Sequence, residues 1–126
     1  MKLNELNVYK NSMVLAEEIY SIVSKWNYLD LDTVGKQLIR SSDSIAANIS
    51  EGFGRYSFKE NKLFCYYSRG SLFETTTWIE KAKGRNLISD EQYESLTEQL
   101  TTLGKMLNAY IKSIGNMNKN RQSPND

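Results

Sequence analysis

Residues 89–114 read SDEQYESLTEQLTTLGKMLNAYIKSI, and Tyr93, Leu96, Leu100, Leu103, Leu107, Tyr110 and Ile114 recur there at alternating spacings of three and four. An α-helix turns once every 3.6 residues, so this alternation puts all of these side chains on one face, a coiled-coil-like seam. Ser89 and Gln92 open the segment in the spacing of a capping box, in which side chains satisfy helix-end donors. The same arrangement recurs upstream as Ser57-Phe58-Lys59-Glu60, predicting the start of another helix that runs to Lys81 and Lys83 and stops at Gly84. Basic residues suit a helix C-terminus, where backbone carbonyls accumulate partial negative charge.

Two further helices precede these. Leu15, Ile19, Ile22 and Trp26, widened by Val14 and Val23, mark one face of a helix from about Asn7 to Asn27. After a link from Tyr28 to Leu31, Asp32 is the expected N-cap of the next. Val34, Leu38, Ile45 and Ile49 form that helix's inner face, and Gly52 and Gly54 are expected to end it in the left-handed conformation. The only proline is Pro124, so nothing interrupts these segments. Links of roughly four to six residues make sequential helices antiparallel neighbours. The expected fold is all-α, an antiparallel up-down-up-down four-helix bundle with short loops over residues 1–115. Residues 116–126 are polar and patternless, and a disordered tail is expected there.

The totals narrow the function. The chain has 126 residues, 40% of them hydrophobic and 25% charged, which suits one globular domain. It contains no histidine, which removes the commonest general base and the commonest transition-metal ligand. No nucleophile with an adjacent base and no phosphate-binding loop is evident; Gly52-Phe53-Gly54-Arg55 lacks the following lysine and the preceding strand. No catalytic, cofactor-binding or metal residue is therefore expected, no small-molecule substrate, and no enzymatic activity. The single cysteine, Cys65, fits a reducing compartment. Charges interrupt every apolar run, so no membrane association and a cytoplasmic location are expected. Sixteen basic against 15 acidic residues give a net charge of +1, low for a protein held on nucleic acid by phosphate contacts.

The third helix is apolar around most of its circumference, with Phe64, Tyr67 and Trp78 on one stripe, Cys65, Leu72 and Ile79 on a second, and Tyr66 and Phe73 on a third. A helix of that kind is buried on several sides, so part of its surface is expected to meet another subunit, with Tyr66, Phe73 and Ile79 as the candidate interface. Small residues cluster from Ser41 to Ser50, and Gly70 and Ser71 are expected to answer them with a close helix contact. Glu74 is expected to be partly buried and bonded across helices, Asn48 to join a polar network, and Glu51 and Arg55 to form an i,i+4 pair. Glu51 and Glu74 could also be imagined as an acid–base carboxylate pair, a weaker reading.

Ser44-Ile45-Ala46-Ala47-Asn48-Ile49-Ser50-Glu51-Gly52-Phe53-Gly54-Arg55, followed by Glu60, Arg69-Gly70-Ser71-Leu72 and Glu74, resembles a pattern of the bacterial rRNA intervening-sequence proteins. That pattern reads S-I-P-x-N-I-A-E-G-x-x-R, then E, then A-x-G-S-x-x-E; Ala46 replaces its proline and Ser50 its alanine. The resemblance runs from Leu6 to about Ile114. It implies a four-helix bundle, often assembled as a homopentameric ring, with no catalytic activity attached. A related branch, the accessory variability proteins of diversity-generating retroelements, binds a reverse transcriptase and nucleic acid but is strongly basic. Asn48, Glu51, Arg55, Gly70, Ser71 and Glu74 match the motif and are read as structural or assembly residues.

The first functional reading is a non-enzymatic homo-oligomeric scaffold or accessory protein, a pentamer that works with RNA or a nucleic-acid enzyme such as a reverse transcriptase. The alternative is direct RNA or DNA binding through a basic surface of the assembled ring, with Arg40, Arg55, Lys59, Lys62, Arg69, Lys119 and Arg121 as candidate contacts.

Overall fold

A computed structural model describes residues 1–121, with side chains as far as Met117. After a short 3-10 turn at Leu3–Glu5, four long helices follow: α1 (Asn7–Val23), α2 (Lys36–Phe53), α3 (Phe58–Gly84) and α4 (Asp90–Arg121). Each packs on its sequence neighbours, and α4 closes the ring by packing on α1. Paired side chains show the directions. Ser68 meets Ile45 while Thr75 meets Ser41; Asn61 meets Tyr110 while Arg69 meets Asn108; Asn11 meets Met106 while Gln99 meets Glu18. In each pair of helices one number rises as the other falls, so these neighbours are antiparallel.

The core is aliphatic. Leu15, Ile19, Val23, Leu38, Ile45, Ile49, Leu96, Leu103, Leu107 and Ile114 are buried, the positions that the three-four spacing selects. Tyr93 and Tyr110 of the seam are partly buried against this core.

Helix boundaries follow local chemistry, with three differences from the sequence reading. Helical backbone begins before Asp32: Asn27 caps a turn at Tyr28–Asp30 by accepting from the Asp30 amide at 3.1 Å. That turn continues through a wide π-type turn, Leu31–Gly35, into α2, and Asp32 lies exposed within it. Gly35 permits this entry, because a Cβ there would stand 2.7 Å from Val23.

Among the described residues, the left-handed one is not a glycine. Gly54 ends α2 with φ −79°, and the positive φ falls at Asn86, 59°. Asn86 donates to the Lys83 carbonyl and Leu87 to that of Ala82, the paired bonds that close a helix end around a left-handed residue. Asparagine tolerates that conformation, so Gly84 remains helical. Finally, α4 does not stop at Gly115 but continues to Arg121, since a glycine weakens a helix without terminating it. The part of the expected tail at 122–126 lies outside the described residues.

Both serines cap their helices, but only Ser89 does so in the reciprocal box expected of each. Ser57 accepts from the Glu60 amide at 3.1 Å. Ser89 and Gln92 exchange bonds reciprocally, the Gln92 amide to Ser89 Oγ at 3.1 Å and the Ser89 amide to Gln92 Oε1 at 2.9 Å. Lys83 bonds Asp90 across the α3–α4 turn, and that charge-assisted bond holds the Asp90 carboxyl below the usual carboxylate range.

Candidate interaction surface

The face that α3 turns inward is built for close approach. Asn61, Cys65, Ser68, Leu72, Thr75, Ile79 and Ala82 are buried. Three of these are small hydroxyl or amide residues whose polar atoms find partners across the bundle. Ser68 donates to the Ile45 carbonyl at 2.7 Å, Thr75 Oγ1 lies 2.9 Å from Ser41 Oγ, and Asn61 Nδ2 donates to Tyr110 Oη at 3.3 Å. The small residues of α2 are thus met by Ser68 and Thr75. Gly52 marks the tightest point: a Cβ there would lie 2.8 Å from Asn61 Oδ1, 2.9 Å from the Asn61 carbonyl and 2.9 Å from Phe64 Cβ.

Gly70 was the glycine expected at this contact, and it is not there. A Cβ on Gly70 would meet nothing within 4 Å, and Ser71 is half-buried beside it. Ile79, expected in the subunit interface, is only 1% exposed and packs inside its own bundle. It shares the inner stripe with Cys65 and Leu72, seven residues apart, whereas Phe73 lies on the opposite side. Glu74, expected to be partly buried and bonded across helices, is exposed and makes no hydrogen bond or ion pair among the described residues. The buried polar network runs instead through Ser41, Ser68 and Thr75, which can be desolvated far more cheaply than a carboxylate.

Opposite this seam, α3 presents Leu63, Tyr66, Tyr67 and Phe73, exposed by 46%, 40%, 51% and 65%. Gly70 lies among them, at the low point between Tyr66 and Phe73. Tyr66 and Phe73 were expected on such a face; Leu63 and Tyr67 extend it. Toward the start of α3, Lys59, Lys62, Leu63 and Tyr66 line a shallow groove of about 540 Å³.

The remaining motif residues fall into local roles. Arg55 pairs with Glu51 at 2.5 Å, as the spacing predicts, and lays its guanidinium 4.7 Å from the Phe64 ring centroid. Asn48 donates to the Ser44 carbonyl within its own helix at 2.9 Å, so it stiffens α2 and does not join helices. Glu51 and Glu74 stand apart: Gly52 is level with Asn61 and Ser41 with Thr75, which separates the carboxylates by roughly 13–18 Å along the bundle at 1.5 Å per residue. No acid–base pair can form from them.

Among the candidate cationic contacts, Arg69 bonds Asn108 at 3.1 Å and lies over the Tyr66 ring. Arg40 and Lys59 are exposed and Lys62 is half-buried; among the described residues none of the three has an ion-pair partner. The side chains of Lys119 and Arg121 lie outside the described ones. Among the described residues, no group of three or more Cys, Asp and Glu side chains could hold a metal ion, and no helix is long and apolar enough to cross a membrane. Cys65 is buried beside Asn61, and burial pushes its thiol up to about 11.

These features define an antiparallel four-helix bundle with an aromatic face left open on its third helix. The chain belongs to the 23S rRNA-intervening sequence protein family, whose model matches residues 4–109. Six chains of solved structures match it. One is a protein of unknown function from the S23 ribosomal protein family of Bacteroides thetaiotaomicron, 29% identical, with a TM-score of 0.77 over 89% of this chain and 99% of that one. No curated protein matches.

Proposed function

We propose that this chain is a non-enzymatic scaffold that works as a homo-oligomer, a ring of five, in company with RNA or a nucleic-acid enzyme such as a reverse transcriptase. The observation that carries the assembly is the outer face of α3. Leu63, Tyr66, Tyr67 and Phe73 are all exposed on it, and monomers rarely leave apolar patches of several hundred Å² uncovered. Gly70 adds to it: a mid-helix glycine costs about 1 kcal/mol against alanine, and nothing within the subunit approaches it closely enough to require one. Five is the number that the resemblance to ring-forming relatives implies. A cytoplasmic location accords with the single free thiol of Cys65.

Light scattering coupled to size exclusion tests the assembly. The expected mass is a multiple of 14.5 kDa, and Phe73→Glu lowers it to that of one chain while leaving the helical circular dichroism intact. A wild-type protein that runs at 14.5 kDa at tens of micromolar defeats the reading.

Direct nucleic-acid binding is the second reading, and Arg40, Lys59 and Lys62, without an ion-pair partner among the described residues, are what favour it. With a net charge of +1, each subunit has little counterion release to exploit, so weak, salt-sensitive binding is expected in a mobility-shift titration. Tight binding at physiological salt would promote this reading above the first.

A further inference from the structure

A ring requires each subunit to offer two different faces, and the outer face of α3 is only one of them. We propose that its counterpart is the groove between α1 and α2 of a second copy of this chain, with Arg69 of one subunit reaching Asp43 and Glu17 of the next; this rests on the assembly reading above.

The groove has the shape and charge that the α3 face lacks. It encloses about 310 Å³ and is lined by Met13, Ala46 and Ala47 together with Glu17 and Asp43. Alanines leave room for aromatic side chains such as Tyr66 and Phe73. Both carboxylates lack a cationic partner among the described residues, and the lining contains no lysine or arginine. Burial and then the nearby Glu17 raise the Asp43 carboxyl above its ordinary value, the behaviour of an acid awaiting a cation. On α3, the cations Lys59, Lys62, Arg69, Lys81 and Lys83 outnumber the carboxylates Glu60, Glu74 and Glu80.

Height along the bundle selects Arg69 among these cations. Ser68 bonds the Ile45 carbonyl, so Arg69 is level with the turn that holds Asp43 and Ser44. Lys62, next to Asn61, is level instead with Gly52, about two turns away. In a ring whose axis follows the helices, groups at one height meet groups at the same height on the neighbour. Among the described residues Arg69 has only the neutral Asn108 and the Tyr66 ring as partners, and a guanidinium carries five N–H donors. The groove between α1 and α4 carries a carboxylate too, Glu98, but at another height: Arg69 bonds Asn108, about 15 Å along α4 from Glu98 at 1.5 Å per residue.

Complementation of blocked subunits tests the pairing. Ala47→Arg fills the groove from an exposed position, and Phe73→Glu spoils the α3 face; each variant alone should run at 14.5 kDa. Mixed, they should form a species of twice that mass, since one keeps the groove and the other keeps the α3 face. Misfolded chains could not do this. Asp43→Arg should likewise break the ring, and Arg69→Asp in the same chain should restore it. A wild-type oligomer that ignores Ala47→Arg, or blocked variants that stay monomeric when mixed, would overturn the pairing and leave the assembly standing. A monomeric wild type would overturn both.

Discussion

Helix α3 has two apolar sides with opposite designs. Its inner side carries small polar groups between aliphatic ones, and each hydroxyl or amide there is answered from α2 or α4. Its outer side carries large aromatic groups around a glycine, and they stay exposed although Arg69 lies over Tyr66 and Phe64 meets Tyr67 edge-on. Small polar residues are tolerable inside a bundle because the backbone approaches closely enough to complete their bonds. Large apolar residues on the outside gain only when another surface removes them from water. The inner side should therefore govern the stability of the subunit, and the outer side its association.

The largest separation is expected between Ile79 and Phe73. Ile79→Ala empties a fully buried site and should destabilise the subunit by about 2–5 kcal/mol in urea unfolding. Phe73→Ala should change the subunit's own stability little and lower the assembled mass. Equal losses of stability would erase the distinction between the two sides.

The glycines give the next contrast. Gly52→Ala must displace the Asn61 backbone and Phe64, an overpacking cost of about 1–3 kcal/mol. Gly70→Ala has open space and a helical φ, so it should stabilise the isolated subunit by about 0.5–1 kcal/mol. Thermal melts of the two variants in a Phe73→Glu background, where assembly does not contribute, would show shifts of opposite sign.

Two threonines sharpen the point at smaller scale. Thr75→Val removes the hydroxyl beside Ser41 and should cost about 1 kcal/mol, whereas Thr77→Val, on the exposed side, should be near neutral because water replaces its bond to Phe73. The smallest effect concerns Cys65 on the buried side. Burial raises its thiol from 9.0 to about 11, so the contribution of its protonated form is complete below pH 9 and is lost as pH rises toward 11. At pH 8 iodoacetamide should label it far more slowly in the native protein than in urea. Fast native labelling would mean that the inner face opens.

Much of this architecture was legible in the sequence. The three-four alternation from Tyr93 to Ile114 fixes which side of α4 is buried, because a helix repeats its own period whatever surrounds it. The caps at Ser57 and Ser89 are likewise local, settled within four residues. The pairing of Glu51 with Arg55 needs no tertiary information either. The motif around Asn48 pointed to the family, but the structure gives its residues modest jobs within one helix or at its end.

What the tertiary structure alone decided lies mostly on α3. With apolar groups on nearly every side, its periodicity names no unique inner face, so Ile79 could be placed outside and Glu74 inside when the reverse holds. The choice is made by α2, whose Ser41 and Ile45 carbonyl accept Thr75 and Ser68 at close range and leave no space for an aromatic ring. Gly52 and Gly70 show the same dependence. Both are helical glycines without a positive φ, and local sequence does not say which of them a neighbouring helix crowds. Only packing places Asn61 and Phe64 against the first and open space over the second, because a helix contact is set by the rotation of two helices about their axes, which neither segment encodes alone.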